Sequence, residues 1–206
     1  MLNLTRRTLC YLLLGAVGAM PAVAQMLNSE RIEQTFGGYG IDVWYSDARV
    51  RLSNLYSSHD GRRTMRSFAI VGYPETIAEA FASEHRAILA GGSIGTTFQA
   101  GGWEVLKTGH QYFAVAVEPM LAVEMQLDSG SLLATHAYRL EIVSGDRRFD
   151  YAQIIELHHP DYLQLDDLPA IYGPPAPASE TLTAAVRDLL QAGREKLTET
   201  GLSLGE

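Results

Sequence analysis

Apolar and polar positions alternate with a period of two through much of the chain, the mark of β-strands with two distinct faces. Ile41, Val43 and Tyr45 alternate, as do Val50 and Leu52, and Ser46-Asp47-Ala48 supplies the turn between them. Asp42, Arg49 and Arg51 fall on the intervening positions, so this first ribbon is expected to have one wet face. Ser57 to Arg63 reads as a polar loop, and Met65 to Val71 as a third strand stopped by Gly72-Tyr73-Pro74. Trp103 to Leu106 and Gln111 to Val117 read as a second ribbon turning at Thr108-Gly109. Leu132–Val143 and Arg148–Leu157 form the clearest hairpin, closed by Ser144-Gly145-Asp146. With Gly145-Asp146 at its tip, Ile142 faces Phe149, Leu140 faces Tyr151 and Tyr138 faces Gln153.

Helical spacing takes over in three places. Leu27 to Thr35 predicts a short helix with Asn28 or Ser29 as its cap and Glu30 in the first turn, where the dipole favours an acid. Glu75 to about Ala90 carries Ile77, Ala80, Phe81, Ala87 and Ile88 on one stripe. Ser179 caps a last helix with Leu182, Val186, Leu189, Leu190 and Leu197 on one stripe, which is expected to dock back on the domain. Pro119–Leu127 is apolar and of either period, and Asp161–Ala178, with four prolines, reads as an extended crossing.

Two stretches resemble one another at an offset of 62 positions. Thr35-Phe36 matches Thr97-Phe98, Gly40 matches Gly102, and Val43 matches Val105, each after an apparent helix and at the opening of a ribbon. The fold expected is therefore α+β, a mostly antiparallel sheet of about six to eight strands with helices on one face. It is built as a duplicated α-β-β-β unit with halves at 29–74 and 91–161 and the 131–146 region as an insertion. The domain spans 25–164, followed by the Pro-rich crossing at 165–178 and the docked helix at 179–206.

The N-terminus changes the compartment. Arg6-Arg7, an apolar run from Leu9 to Met20 and Ala22-Val23-Ala24 make a signal-peptide pattern over 1–24, which predicts a secreted protein, periplasmic or extracellular. Removing those residues takes away two arginines, moving the formal charge from −8 to −10, and takes away Cys10, the one cysteine. A disulfide-free core is then required, and roughly 180 residues suffice for one. The acidic balance without a basic run argues against nucleic acid and anionic membranes.

The most site-like run is Glu156, His158, His159 and Asp161, two acids and two imidazoles at a strand end. Neighbouring side chains on a strand point to opposite faces, so one of the two histidines can join Glu156, with His110 or His136 to complete a site. Phase assigns His159 to the core row and leaves His158 to pair with Glu156 at the sheet edge. His136 and Tyr138, with Gln153 opposite, form a second polar group on a core-facing row, which must be a hydrogen-bonded network or a pocket. The glycine-rich stretches lack a phosphate-loop lysine, and no Gly-x-Ser-x-Gly elbow or His-Glu-x-x-His spacing exists. The function expected is that of an exported, soluble, non-catalytic binding or accessory protein. The alternative is a cell-envelope hydrolase or metal-dependent enzyme using the 156–161 cluster. No cofactor and no metal are expected. The partner is a small-molecule ligand or an envelope protein, with no nucleic acid and no stable membrane span.

Overall fold

A computed structural model of the chain describes residues 26–200. Its centre is one six-stranded sheet in the order β1-β2-β3-β6-β5-β4, with every neighbouring pair antiparallel. The strands are β1 (Gly40–Ser46), β2 (Val50–His59), β3 (Arg62–Gly72), β4 (Glu104–Ala116), β5 (Leu132–Ser144) and β6 (Arg147–His158). The helices are α1 (Asn28–Phe36), α2 (Ala82–Leu89), α3 (Ile94–Ala100), α4 (Pro119–Met125), α5 (Asp167–Tyr172) and α6 (Glu180–Glu199). The α+β class and the antiparallel sheet are as the alternation predicts.

Each half runs helix, then three strands in a meander, and the two meanders meet where β3 pairs with β6. The second half differs from its sequence reading in one respect. The ribbon expected at 103–117 is the single strand β4, and Leu132–Ser144, read as an insertion, is the middle strand of the meander. The apparent turn at Thr108-Gly109 is a bulge, where the register jumps between Thr108↔Arg139 and Gln111↔Ala137. Gly109 sits there at φ 65°, a left-handed conformation that costs glycine nothing. Similarly, Ser57–Arg63 is no loop. Both strands run on to a tight turn at Asp60-Gly61.

The sheet is covered on both faces, not one, and strand alternation shows why. Leu52, Phe68, Ile70, Ile155 and Leu157 pack with α4 (Leu121, Met125) and α6 (Val186, Leu189, Leu197). Val71 and Ile154, one residue out of phase, pack with Phe81 from the turn before α2, Ile88 of α2 and Phe98 of α3. Ile32 of α1 joins that second face over Leu55 and Ala69. Gly193 brings α6 close to the sheet, since a Cβ there would stand 2.7 Å from Ile70 Cδ1. The expected wet face of the first ribbon is thereby corrected: Arg51 is 1% exposed because α2 and α3 close over it.

Hairpin register also explains a shift. Ile142 does face Phe149, but a bulge follows between Leu140 and Glu141, so Leu140 faces Ala152 and Tyr138 faces Ile154. Phe149 and Tyr151 consequently lie on the α2–α3 face, opposite the one that carries Ile155 and Leu157.

Candidate functional site

The α1-facing side of the sheet carries a row of buried polar side chains. Alternation puts Ser67 of β3, Glu156 and His158 of β6, His136 and Tyr138 of β5, and Lys107 of β4 on one face. Register makes them neighbours, with Ser67 opposite His158 and His136 opposite Glu156. His136, His158 and Ser67 are 0% exposed and Glu156 is 4% exposed. The bulge in β4 re-aims His110, whose Nδ1 lies 2.9 Å from His136 Nε2.

Helix α1 closes this row from above. Its cap is Leu27, whose N–H donates to the Glu30 carboxylate at 2.8 Å, so Asn28 is not spent on capping as expected. The Asn28 amide donates to Glu156 Oε1 (3.1 Å) and Ser67 Oγ (3.2 Å), and its carbonyl accepts the Tyr162 hydroxyl (2.6 Å). Ser67 Oγ in turn meets His158 Nδ1 at 2.8 Å. Lys107 Nζ stands 3.6 Å from Glu156 Oε2, inside ion-pair range and too far for a hydrogen bond, over the rings of Tyr138 (4.5 Å) and Tyr172 (4.9 Å).

Burial dominates the electrostatics. It pulls the Lys107 ammonium below its ordinary range, and Glu156 opposes that shift. Burial, reinforced by Lys107, keeps His136 and His110 neutral, and it draws His158 down to about 4 although Glu156 pushes the other way. The Tyr138 and Tyr172 hydroxyls are raised by burial and stay protonated.

Next to this row lies a cavity of ≈ 70 Å³, roofed by Leu27 at the cap of α1, Ser29 of α1, and Ile94 and Gly95 of α3. That is room for several ordered waters or a small ligand. Its floor contains Arg51, Ser53, Lys107, Tyr138 and Glu156 among apolar side chains. Arg51 donates to Ser53 Oγ and to the carbonyls of Ile88 and Gly92, and its Nη2 has no partner. A Cβ at Gly95 would meet Leu27 Cδ1 at 2.5 Å, so glycine is what lets the two roof helices close together.

The candidates from sequence divide accordingly. Glu156, His158, His136 and Tyr138 come together, with His110 attached. Gln153 lies outside the cluster, donating to the Tyr138 carbonyl at 2.9 Å. His159 is buried on the opposite face, its Nε2 3.1 Å from the Met125 carbonyl and its Nδ1 accepting the Asp161 N–H at 3.0 Å. Asp161 is exposed and only 3.9 Å from the His159 ring, so it is a surface residue. The expectation that His158 sits at a sheet edge is corrected, because β6 is a central strand. Lys107, Arg51, Asn28 and Ser67 were not anticipated. Lys107 offers one signal in the sequence, since it is in phase with the buried Val105.

No protein-family model matches the chain, and no characterised protein matches it in sequence. Among solved structures it is similar to a GntR-family transcriptional regulator from Enterococcus faecalis V583, at 10% identity and TM-score 0.40, over 62% of this chain and 93% of that one. It is also similar to the ligand-binding domain of a GntR-family regulator from Bordetella bronchiseptica, at 14% identity and TM-score 0.42, over 62% and 89%. A third is the C-terminal domain of the histidine utilization repressor from Pseudomonas syringae pv. tomato, at 13% identity and TM-score 0.35, over 62% and 90%. The expectation of export is corrected: the neighbours are described as transcriptional regulators and a repressor, and the signal-peptide, secreted and periplasmic readings are withdrawn. The residues that prompted them, 1–24, lie outside the described residues. Among the described residues no helix is long and apolar enough to cross a membrane.

Proposed function

We propose that the protein is a non-catalytic binding protein for a small carboxylate, held in the cavity between the α1–α3 roof and the sheet. The observation that supports this is a charge imbalance. Two buried cations, Arg51 and Lys107, line the cavity with donors unspent, and Glu156 is the one carboxylate among the lining residues. A buried cation lacking a counter-ion is costly, and an anionic guest supplies one. Leu55, Val71, Leu140 and Ile154 offer an apolar seat for the carbon body, and the Ser53 and Ser93 hydroxyls offer further polar contacts.

Calorimetric titration with a series of two- to six-carbon mono- and dicarboxylates, and with the matching amides, tests the reading. Charge-assisted hydrogen bonds contribute about 1.5–3 kcal/mol each, so an amide should bind roughly 10- to 150-fold more weakly than its acid. Lys107→Met should abolish carboxylate binding. Amides that bind as well as acids, or a Lys107→Met protein that keeps its affinity, would overturn it.

A further inference from the structure

We infer that His136, Glu156 and His158 form a binding site for one divalent transition-metal ion, zinc being the best fit. This site borders the cavity and shares Glu156 with its lining, but it does not depend on the carboxylate reading. One potential ligand atom from each of the three lies within 4.8 Å of the other two, and all three residues are buried. Each also carries one buried atom without a hydrogen-bond partner: His136 Nδ1, His158 Nε2 and Glu156 Oε2. Two imidazole nitrogens and a carboxylate oxygen without hydrogen-bond partners in one buried cluster are a costly arrangement for a protein to keep without purpose.

The other atom of each residue is anchored outward. His136 Nε2 meets His110 Nδ1 on β4, His158 Nδ1 meets Ser67 Oγ on β3, and Glu156 Oε1 accepts the Asn28 amide of α1. Metal-binding histidines are held in this way, by a bond on the nitrogen that does not touch the ion. Ligation through His136 Nδ1 and His158 Nε2 leaves the protons on His136 Nε2 and His158 Nδ1, where His110 and Ser67 accept them. Two imidazoles and one carboxylate are the three protein ligands of an open zinc site. Ligand atoms around tetrahedral zinc stand about 3.4 Å apart, given bonds of roughly 2.0–2.1 Å. The three side chains therefore close by at most about 1.4 Å at the widest gap.

Lys107 is the competitor. Its ammonium, 3.6 Å from Glu156 Oε2, is the counter-charge of the ion-free protein. An ion at Glu156 takes over that part, and the lysine turns into the cavity that it already lines. Removing the lysine should thus strengthen metal binding while, on the carboxylate reading, it abolishes ligand binding. The two proposals are told apart by this one variant.

The test is equilibrium dialysis of the full chain against Zn²⁺ under a competing chelator, together with the visible spectrum of the Co²⁺-loaded protein. The expected result is one ion per chain, and a Co²⁺ spectrum with the intensity of four- or five-coordination. His136→Gln and His158→Gln should each lower affinity at least 100-fold, and His110→Gln and Ser67→Ala about 10- to 100-fold. Lys107→Met should raise it at least tenfold, and His159→Gln should leave it unchanged. If the ligand variants do not fold, the His110→Gln and Lys107→Met proteins and the wild-type Co²⁺ spectrum still decide. Absence of a stoichiometric ion, an octahedral Co²⁺ spectrum, ion retained by both His136→Gln and His158→Gln, or affinity lowered by Lys107→Met would each overturn the site.

Discussion

Replacing Lys107 by Met, and separately Glu156 by Gln, probes the energetics of the buried pair directly. At 3.6 Å, and with an effective dielectric of about 20, the attraction between the two charges is roughly 4.6 kcal/mol. Both ions have lost their water, and that desolvation cancels much of the gain. Deleting one partner removes the attraction but leaves the other's desolvation in place. Lys107→Met strands Glu156 with only the Asn28 amide, at an expected cost of about 3–5 kcal/mol. Glu156→Gln strands the lysine and should cost about as much. The double variant replaces both charges by neutral groups of similar shape, and should return to within about 1 kcal/mol of the parent. The coupling energy of the cycle is then roughly 3 kcal/mol or more, out of the ~5–15 kcal/mol that stabilises a typical domain. Urea unfolding at pH 7, followed by far-UV circular dichroism with chelator present, measures all four corners. Additive effects of the two single changes would refute the reasoning, because they would mean that each charge is compensated by something other than its partner.

Two further predictions concern the scaffold. Gly193→Ala would gain about 1 kcal/mol in an exposed helix, but here the added methyl presses on Ile70, and overpacking costs roughly 1–3 kcal/mol. Its melting temperature should therefore fall and partly recover with Ile70→Val, while a rise would show that α6 is not seated on β3. Asp47 holds the β1–β2 turn by accepting the Arg49 and Val50 N–H groups, each at 2.7 Å, and the Tyr45 hydroxyl. Burial pushes its carboxyl up, and these donors outweigh it and leave the pKa below the ordinary value of 3.8. A depressed carboxyl stabilises above the unfolded pKa and loses that contribution as pH falls through the folded one. Asp47→Ala should cost about 1 kcal/mol above pH ~5 and flatten the acid limb below ~4. A series of urea midpoints from pH 6 to 3 that runs parallel to the parent's would refute this.

Part of the site was readable from local periodicity. The period of two separates His158 from His159, but the register counted from the Ser144–Asp146 turn sets His136 opposite Ile155, and only the bulge after Leu140 brings it to face Glu156. What periodicity cannot reveal is which face another element will cover. Arg51 sits between Val50 and Leu52 and reads as solvent-facing in a half-wet ribbon, yet α2 and α3 bury it. Asn28 and Ser67 were out of reach for a different reason. Their contacts with Glu156 and His158 depend on the pairing of β3 with β6, between strands far apart in sequence. The bulges mislead in a third way. One extra residue at Gly109-His110 looks like a turn in the sequence, whereas in the sheet it turns a single imidazole toward His136.

The seam between β3 and β6 has a consequence for how the molecule is made. A ribosome delivers β1, β2 and β3 long before β6 exists, so the nascent chain carries an open strand edge flanked by Phe68 and Ile70. Such long-range pairing is slow to form and exposed to association while it waits. Neither half holds the site alone. Asn28 and Ser67 arrive with the first, and Lys107, His136, Glu156 and His158 with the second. Closure of one seam therefore completes the sheet, removes the sticky edge and assembles the buried row in a single event. A chain truncated before Arg147 would keep every strand but one and lose Glu156 and His158, and with them the pairing that joins Ser67 to His136.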